Sequence, residues 1–114
     1  MNSFPKQLRL CGQETISGLY KVGKRLTSWP LRVTYMPAEE TQVLVWAPKS
    51  LFKRAVKRNH LRRLMREAFR LHQDLLTANR YLIAFNYMDK EVQSYRTIEK
   101  AVVKALKKIT NDGK

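Results

Sequence analysis

The chain has 114 residues and a net charge of +14, with 23 Lys and Arg against nine Asp and Glu. Hydrophobic residues make up 44% of it, which suits one folded domain with a modest core and excludes general disorder. No apolar run approaches the roughly 20 residues of a membrane span, and the N-terminus lacks a signal-peptide core, so we expect a cytoplasmic protein. A positive excess of this size favours an anionic partner such as nucleic acid.

The N-terminal region is predicted to be an extended basic lead-in over residues 1–11, in which Leu8 and Leu10 reach the core. A short helix follows from Gln13 to Val22, because Ile16, Leu19 and Tyr20 share one face at i, i+3, i+4 spacing. Gly23 marks its end. The lone Cys11 excludes an internal disulfide, and two distant histidines predict no metal cluster.

Three segments are predicted to be strands. Leu31 to Met36 alternates apolar and polar residues, and Val43 to Ala47 is apolar on both faces. The simplest pairing of these two is an antiparallel hairpin. The segment from Tyr81 to Tyr87 is also apolar on both faces, which favours a central position in the sheet.

The last helix has a clean apolar stripe from Ile98 to Ile109, with Ser94 as a plausible N-cap. We expect the lysines on its remaining surface to form an ordinary solvated face. They are Lys100, Lys104, Lys107 and Lys108. Residues from Asn111 to Lys114 are expected to fray. The order helix, strand, strand, helix, strand, helix predicts a single α+β domain with a small mixed sheet.

The most informative stretch is the basic helix predicted from Lys53 to His72. An apolar stripe on one side is formed by Leu61, Leu64, Met65, Ala68 and Phe69. The opposite side carries Asn59, Arg62, Arg63, Arg66 and Arg70. The charges are nearly all of one sign and lean to Arg, whose planar fork suits phosphate oxygens. A helix that keeps like charges together indicates an anionic partner, and nucleic acid is the commonest one.

The N-terminal half of this helix differs from the rest. The positions that would extend the apolar stripe are Arg54, Lys57 and Arg58. We therefore expect this end to leave the core and to project its charge on all sides.

Groups for catalysis by the chain itself are not recognisable. Its nine carboxylates are scattered, and neither a Cys/His pair nor a Gly-rich phosphate loop occurs. A protein nuclease with its own two-metal site would need converging carboxylates. We predict no catalytic residue on this chain.

The run AVKRNHLRRLMREAFR, from Ala55 to Arg70, resembles the signature of the bacterial ribonuclease P protein subunit. That family carries Ala-Val-x-Arg-Asn-Arg-hydrophobic-Lys/Arg-Arg-x-x-Arg on a helix. The predicted order of elements agrees over nearly the whole chain. The resemblance implies the family fold, like ribosomal protein S5 domain 2, with a left-handed βαβ crossover where general topology favours a right-handed one.

The resemblance also implies a function. The family protein binds a catalytic RNA, and together they remove the 5′ leader from precursor tRNA. Magnesium ions, bound mainly by the RNA, serve the hydrolysis. The partners expected are therefore the catalytic RNA and precursor tRNA, and neither DNA nor a membrane.

Among the candidate site residues, Arg58, Asn59, Arg62, Arg63 and Arg66 match the family signature, and the others on the basic helix come from its charge pattern. The residues expected to contact the catalytic RNA are Arg54, Lys57, Arg58, Asn59, His60, Arg62, Arg63, Arg66 and Arg70. The residues expected to contact the leader are Ile16, Tyr20, Tyr35 and Lys49. His60 stands where the family usually has Arg, and Ile16 where it often has Phe.

Three alternatives remain open. The main one is a non-catalytic RNA-binding module such as a ribosomal protein, which shares the size and charge. Sequence-specific DNA binding is disfavoured, because no helix precedes the basic helix at helix-turn-helix spacing and no heptad zipper follows it. Binding to an anionic membrane is disfavoured by the lack of bulky aromatics on the apolar stripe.

Overall fold

Three helices and four strands follow one another in a computed structural model that describes residues 9–10, 12–76 and 79–112. They are α1 (Gln13–Val22), β1 (Lys24–Ser28), β2 (Leu31–Pro37), β3 (Gln42–Trp46), α2 (Ala55–His72), β4 (Tyr81–Tyr87) and α3 (Tyr95–Asp112). A 3₁₀ turn, Gln73–Leu76, follows α2. The α+β class and the three predicted helices are confirmed. Among the described residues, no helix is long and apolar enough to cross a membrane.

The sheet has the strand order β1-β2-β4-β3. β2 pairs antiparallel with both β1 and β4, whereas β3 pairs parallel with β4. The predicted hairpin of β2 with β3 is therefore wrong, because β4 lies between them. The central position predicted for Tyr81–Tyr87 is confirmed, since a strand that is apolar on both faces buries the most surface between two neighbours. The connection from β3 through α2 to β4 is a crossover, and its left hand stays a prediction.

β1 is a strand that the sequence pattern did not predict. Its five residues, KRLTS, are mostly polar and lie at the edge of the sheet beside β2. Edge strands of this kind lack the double-faced apolar run that marks a central strand. Ser28 anchors it, because its hydroxyl donates to the buried carbonyl of Ala101 at 2.7 Å.

The two faces of the sheet are covered differently. α2 and α3 pack on one face and form the main core with the odd-numbered residues of β2, such as Leu31 and Val33. On the other face a smaller cluster holds Leu10 and Leu19 against Ala84 of β4. Because α1 has only ten residues, it covers part of that face and leaves the rest open as a cleft.

The ends of the longer helices test the predicted boundaries. α2 starts at Ala55, and its residues Leu61, Met65, Ala68 and Phe69 are fully buried, as the apolar stripe predicts. Residues 111–112 continue α3, and the fraying expected from Asn111 stays a prediction. Residues 113–114, and residues 1–8 and 11 of the expected lead-in, lie outside the described part of the chain.

The N-cap predicted for α3 is confirmed. The hydroxyl of Ser94 accepts a hydrogen bond from the backbone N–H of Thr97 at 3.3 Å, and so satisfies one of the free donors at the start of the helix.

Candidate nucleic-acid interface

The solvent side of α2 carries the arginine face, which we define as Asn59, Arg62, Arg63, Arg66 and Arg70. At about 100° per residue these positions lie opposite the buried stripe of α2. Asn59 and Arg63 are exposed, and the other three are half-buried. The helix therefore packs its apolar side against the core and presents guanidinium groups on its solvent side.

Arg66 lies in a cluster of like charges. Burial lowers the pKa of its guanidinium below the ordinary value, and the nearby charges of Arg9 and Arg62 lower it further. Arg9 reaches this position because its backbone forms a bridge with Val43 on the outer edge of β3. Mutual repulsion among three guanidinium groups costs folding energy, and a bound anion would relieve that cost.

Two arginines of this face are held by neighbours on the same helix. Arg70 forms a two-point contact with Glu67, in which Nε donates to Oε2 at 3.3 Å, and this contact lowers the pKa of the Glu67 carboxyl. Arg62 donates to Oδ1 of Asn59. Arg63 has no ion pair or hydrogen bond to any residue that the structure describes. Part of the face is thus oriented in advance, and part is unpaired.

Arg58 has a role in the fold. Its Nη1 donates to the carbonyl oxygens of Phe52 at 2.8 Å and of Lys53 at 3.0 Å. These bonds fix the loop that leads into α2, and Phe52 at the start of that loop is buried in the core. Arg58 therefore stabilises the loop before α2, and its predicted contact with RNA stays a prediction.

The N-terminal half of α2 projects from the core, as the sequence indicates. Arg54, Lys57 and His60 are exposed, and Val56 between them is 78% exposed. Within the described residues none of these three basic side chains has an ion-pair partner. They extend the basic surface beyond the arginine face.

A cleft of about 700 Å³ opens on the less covered face of the sheet. Its walls are the end of α1, the strands β1, β2 and β4, and the loop from Pro48 to Leu51. The register places Arg32 of β2, Asn86 of β4 and Trp46 of β3 in one row across the sheet. Because paired residues in adjacent strands point to the same face, Trp46 lies on the same face of the sheet as Arg32 and Asn86. Arg32 and Asn86 line the cleft, and Trp46 lies beside it.

The chemistry of this row suits a single-stranded nucleic acid. Trp46 is 49% exposed, so its ring offers a surface for stacking. Arg32 is exposed and lacks an ion pair to any described residue. Asn86 can both donate and accept through its amide. A stacking ring, a cation and an amide together match a base and its phosphate.

Of the predicted leader residues, Tyr20 lines the cleft. Its hydroxyl exchanges hydrogen bonds with the amide of Asn86, at 3.1 and 3.0 Å. Ile16 packs instead against the small core under α1. Lys49 is exposed in the loop between Pro48 and Ser50, both of which line the cleft.

Tyr35 does not face the cleft, and this prediction is corrected. It is 6% exposed and belongs to the main core, where its ring meets that of Tyr81 edge-on at 6.1 Å. The reason is strand alternation, because Tyr35 shares its face with Leu31 and Val33, on the α2 and α3 side of the sheet.

Arg32, Asn86 and Trp46 were not predicted as site residues. A signal exists for two of them: Asn86 is the one polar residue in the apolar run YLIAFNY, and Arg32 lies on the polar side of an alternating strand. What brings them beside Trp46 is the parallel pairing of β3 with β4, which the sequence pattern did not predict.

The described residues contain no group of three or more His, Cys, Asp or Glu side chains that could hold a metal ion. Glu67 of α2 is held by Arg70, and Glu99 of α3 is held by His72.

Comparison with known proteins agrees with the geometry. The family model for Ribonuclease P matches residues 4–110. The ribonuclease P protein component of Porphyromonas gingivalis is 37% identical over 118 aligned residues, which cover 94% of this chain and 86% of the relative. That of Coprothermobacter proteolyticus is 38% identical over 78 residues, or 68% of this chain and 65% of the relative.

Solved structures show the same fold. A mutant RNase P protein from Staphylococcus aureus superposes with a TM-score of 0.77 at 19% identity, covering 93% of this chain and 90% of the other. The RNase P protein from Thermotoga maritima superposes with a TM-score of 0.76 at 20% identity, covering 88% and 96%.

Proposed function

The chain belongs to the ribonuclease P protein family, and from that membership we propose how its two surfaces divide the work. It is the protein component of a tRNA-processing ribonucleoprotein endoribonuclease, and its partner is the RNA subunit. In our proposal the arginine face and the N-terminal half of α2 bind the catalytic RNA. The cleft binds the single-stranded 5′ leader of precursor tRNA.

The observation that carries the first assignment is the unrelieved charge around Arg66. Arg9, Arg62 and Arg66 lie close enough to lower the pKa of Arg66, and the acid nearest in sequence, Glu67, is already engaged by Arg70. Phosphate oxygens from RNA would neutralise these groups with charge-assisted hydrogen bonds. Binding through phosphates also releases counterions, so the affinity falls steeply with salt.

The second assignment depends on the shape and lining of the cleft. Single-stranded nucleic acids are bound by aromatic rings that stack on bases and by cations along the backbone. The cleft offers Tyr20 for stacking, Arg32 for a phosphate and Asn86 for a base edge. Beside it, Trp46 offers a second ring for stacking and Lys49 a second cation for a phosphate.

We propose that the reacting groups belong to the RNA and its magnesium ions, since the described residues of this chain do not fit a metal site. The protein's contribution is electrostatic. Its guanidinium groups lower the repulsion between the catalytic RNA and the precursor, which strengthens binding of the substrate. Such a protein works in the cytoplasm with RNA partners, and DNA has no part in the proposal.

The test is cleavage of precursor tRNA by a bacterial ribonuclease P RNA at low magnesium, with and without the chain. We expect the protein to restore cleavage at the mature 5′ end. The variant Arg62→Ala/Arg66→Ala should restore it only at higher protein concentration, whereas Lys90→Ala, an exposed site outside both surfaces, should match wild type. Binding of the RNA without any rescue would favour a general RNA-binding module of the ribosomal-protein type.

A further inference from the structure

A second basic surface lies on α3, outside both of the surfaces described so far. Lys100, Lys104 and Lys107 converge on a cavity of about 420 Å³ at the end of α2, with Val103 beneath them and the His72–Glu99 pair at one side. All three lysines are exposed, and none has an ion pair to any described residue. We define these three residues as the lysine face.

The lysines share one side of α3 because of their spacing. Ile98, Val102, Ala105 and Ile109 are buried against the main core, and positions 100, 104 and 107 fall opposite them. Like charges at i, i+4 destabilise a helix slightly. The fold thus keeps three ammonium groups close together around one cavity, at a small cost in helix stability.

The acid beside the lysine face is already engaged. Oε2 of Glu99 lies 2.9 Å from Nε2 of His72, and the Tyr95 hydroxyl donates to the same oxygen at 3.4 Å. These partners hold the carboxylate toward α2, and one acid stands against the three lysines that line the cavity. The cavity keeps a positive rim although an acid lines it.

The lysine face is also separate from the arginine face. Two acids lie between the faces, with Glu67 held by Arg70 on α2 and Glu99 held by His72 at the α2–α3 contact. Tyr95 lies between the faces as well, where its hydroxyl donates to Glu99. Burial there, with the charges of Glu99 and Glu67, raises the pKa of Tyr95. The two basic surfaces are therefore separated by a strip of hydrogen-bonded acids.

We propose that the lysine face is a second RNA-binding surface, which holds backbone phosphates of the catalytic RNA at a place distinct from the contact of the arginine face. Charge complementarity favours this occupant, because the rim is basic and the floor, Val103, is small and apolar. Ammonium groups on flexible stems act as point charges toward phosphate, without the base recognition that Arg supplies. The surface would add affinity and orientation, with no sequence preference.

The proposal rests on the RNA-binding function above, and its test separates the two. Binding of the full chain to the catalytic RNA alone is measured over a series of salt concentrations for two variants that lose equal charge. Lys104→Gln/Lys107→Gln removes two members of the lysine face, and Lys21→Gln/Lys90→Gln removes two exposed lysines elsewhere. Gln keeps the helix propensity of Lys, so folding is expected to be unchanged, which circular dichroism checks.

Each lysine that contacts a phosphate adds about 0.7 to 1 to the magnitude of the negative salt slope, d log K/d log[salt]. We expect the slope of the α3 variant to be smaller in magnitude than that of wild type by about 1.4 to 2, and the control variant to keep the wild-type slope. Equal slopes for the two variants would overturn the lysine face while leaving the arginine face intact. A wild-type chain that fails to bind the RNA would overturn the proposed function and this inference together.

Discussion

The hydroxyl of Tyr20 on α1 donates to Oδ1 of Asn86 on β4 at 3.1 Å and accepts from Nδ2 of the same amide at 3.0 Å. This pair ties a short helix, weakened by Gly18 in its interior, to the centre of the sheet. Both residues line the cleft, so this one polar contact fixes the position of Tyr20 in the wall of the candidate leader site. It also holds the Asn86 amide at the floor of that site.

We predict that this contact stabilises the fold by about 0.5 to 1.5 kcal/mol, the net value of a partly buried hydrogen bond. Tyr20→Phe, Asn86→Ala and the double variant form a thermodynamic cycle measured by urea unfolding. The two single losses should add up to more than the loss in the double variant, by a coupling of that size. Strict additivity would show that the two groups do not interact in solution.

Trp46 is predicted to stack on a leader base. Trp46→Ala should weaken binding of precursor tRNA to the assembled ribonucleoprotein by about 1 to 3 kcal/mol, because stacking of one base on an aromatic ring is worth that much. Trp46→Phe should recover most of the loss, and mature tRNA without a leader should bind all three proteins alike. A loss of equal size for precursor and mature tRNA would place Trp46 outside the leader site.

Arg63 and Arg58 are neighbours on α2 with different roles. Arg63→Gln should reduce the salt slope of RNA binding by about 1 and leave the free energy of unfolding within about 0.5 kcal/mol of wild type. Arg58→Gln should lower the free energy of unfolding by about 1 to 2 kcal/mol, because it removes charged donors from the carbonyls of Phe52 and Lys53. Urea unfolding and RNA titration measure both, and the same pattern in both variants would contradict the assignment.

Arg9 is predicted to destabilise the free protein. Arg9→Gln removes a charge that lowers the pKa of Arg66, so the free energy of unfolding should rise by about 0.5 kcal/mol at low salt while RNA affinity falls. The gain should disappear near 1 M salt, where charges more than about 3 Å apart are screened. Lys90→Gln, at an exposed site with no described partner, is the control and should show neither effect.

The His72–Glu99 pair gives a pH-dependent contribution with a defined sign. The hydrogen bond from His72 lowers the pKa of the Glu99 carboxyl below its usual 4.5, so the contact stabilises the folded chain above that pH and is lost as the pH falls through the lowered pKa. Glu99→Gln should therefore lose less stability than wild type between about pH 5 and pH 3. Parallel curves for the two proteins in urea unfolding at these pH values would contradict the linkage.

Much of the local structure could be predicted from residue patterns. The bounds of α1 and the buried stripe of α2 follow from apolar spacing, and the central position of β4 follows from its apolar run. The missed strand β1 is mostly polar and lies at an edge, where Ser28 is buried, Leu26 packs partly against the main core and the other three residues are exposed. Such a strand is specified by its neighbour β2 more than by its own sequence.

The candidate site divides in the same way. The arginine face was predictable because its members lie on one helix, so their relative positions follow from 3.6 residues per turn. The cleft was not, because Arg32, Trp46 and Asn86 come from three strands whose order depends on the insertion of β4 between β2 and β3. Tyr35 shows the same dependence, since its face of the sheet follows from alternation but the location of α1 does not.

The sequence by itself therefore determined the partner class, the helices and the surface that one helix presents. Charge sign and helical periodicity are local properties, which each segment carries wherever it packs. Only the tertiary structure decided which strands adjoin, which acids are already paired and where basic groups converge. These features depend on contacts between segments distant in the chain, such as His72 with Glu99 or Arg9 with Arg66. Burial of apolar surface selects one packing among the several that each segment alone would allow.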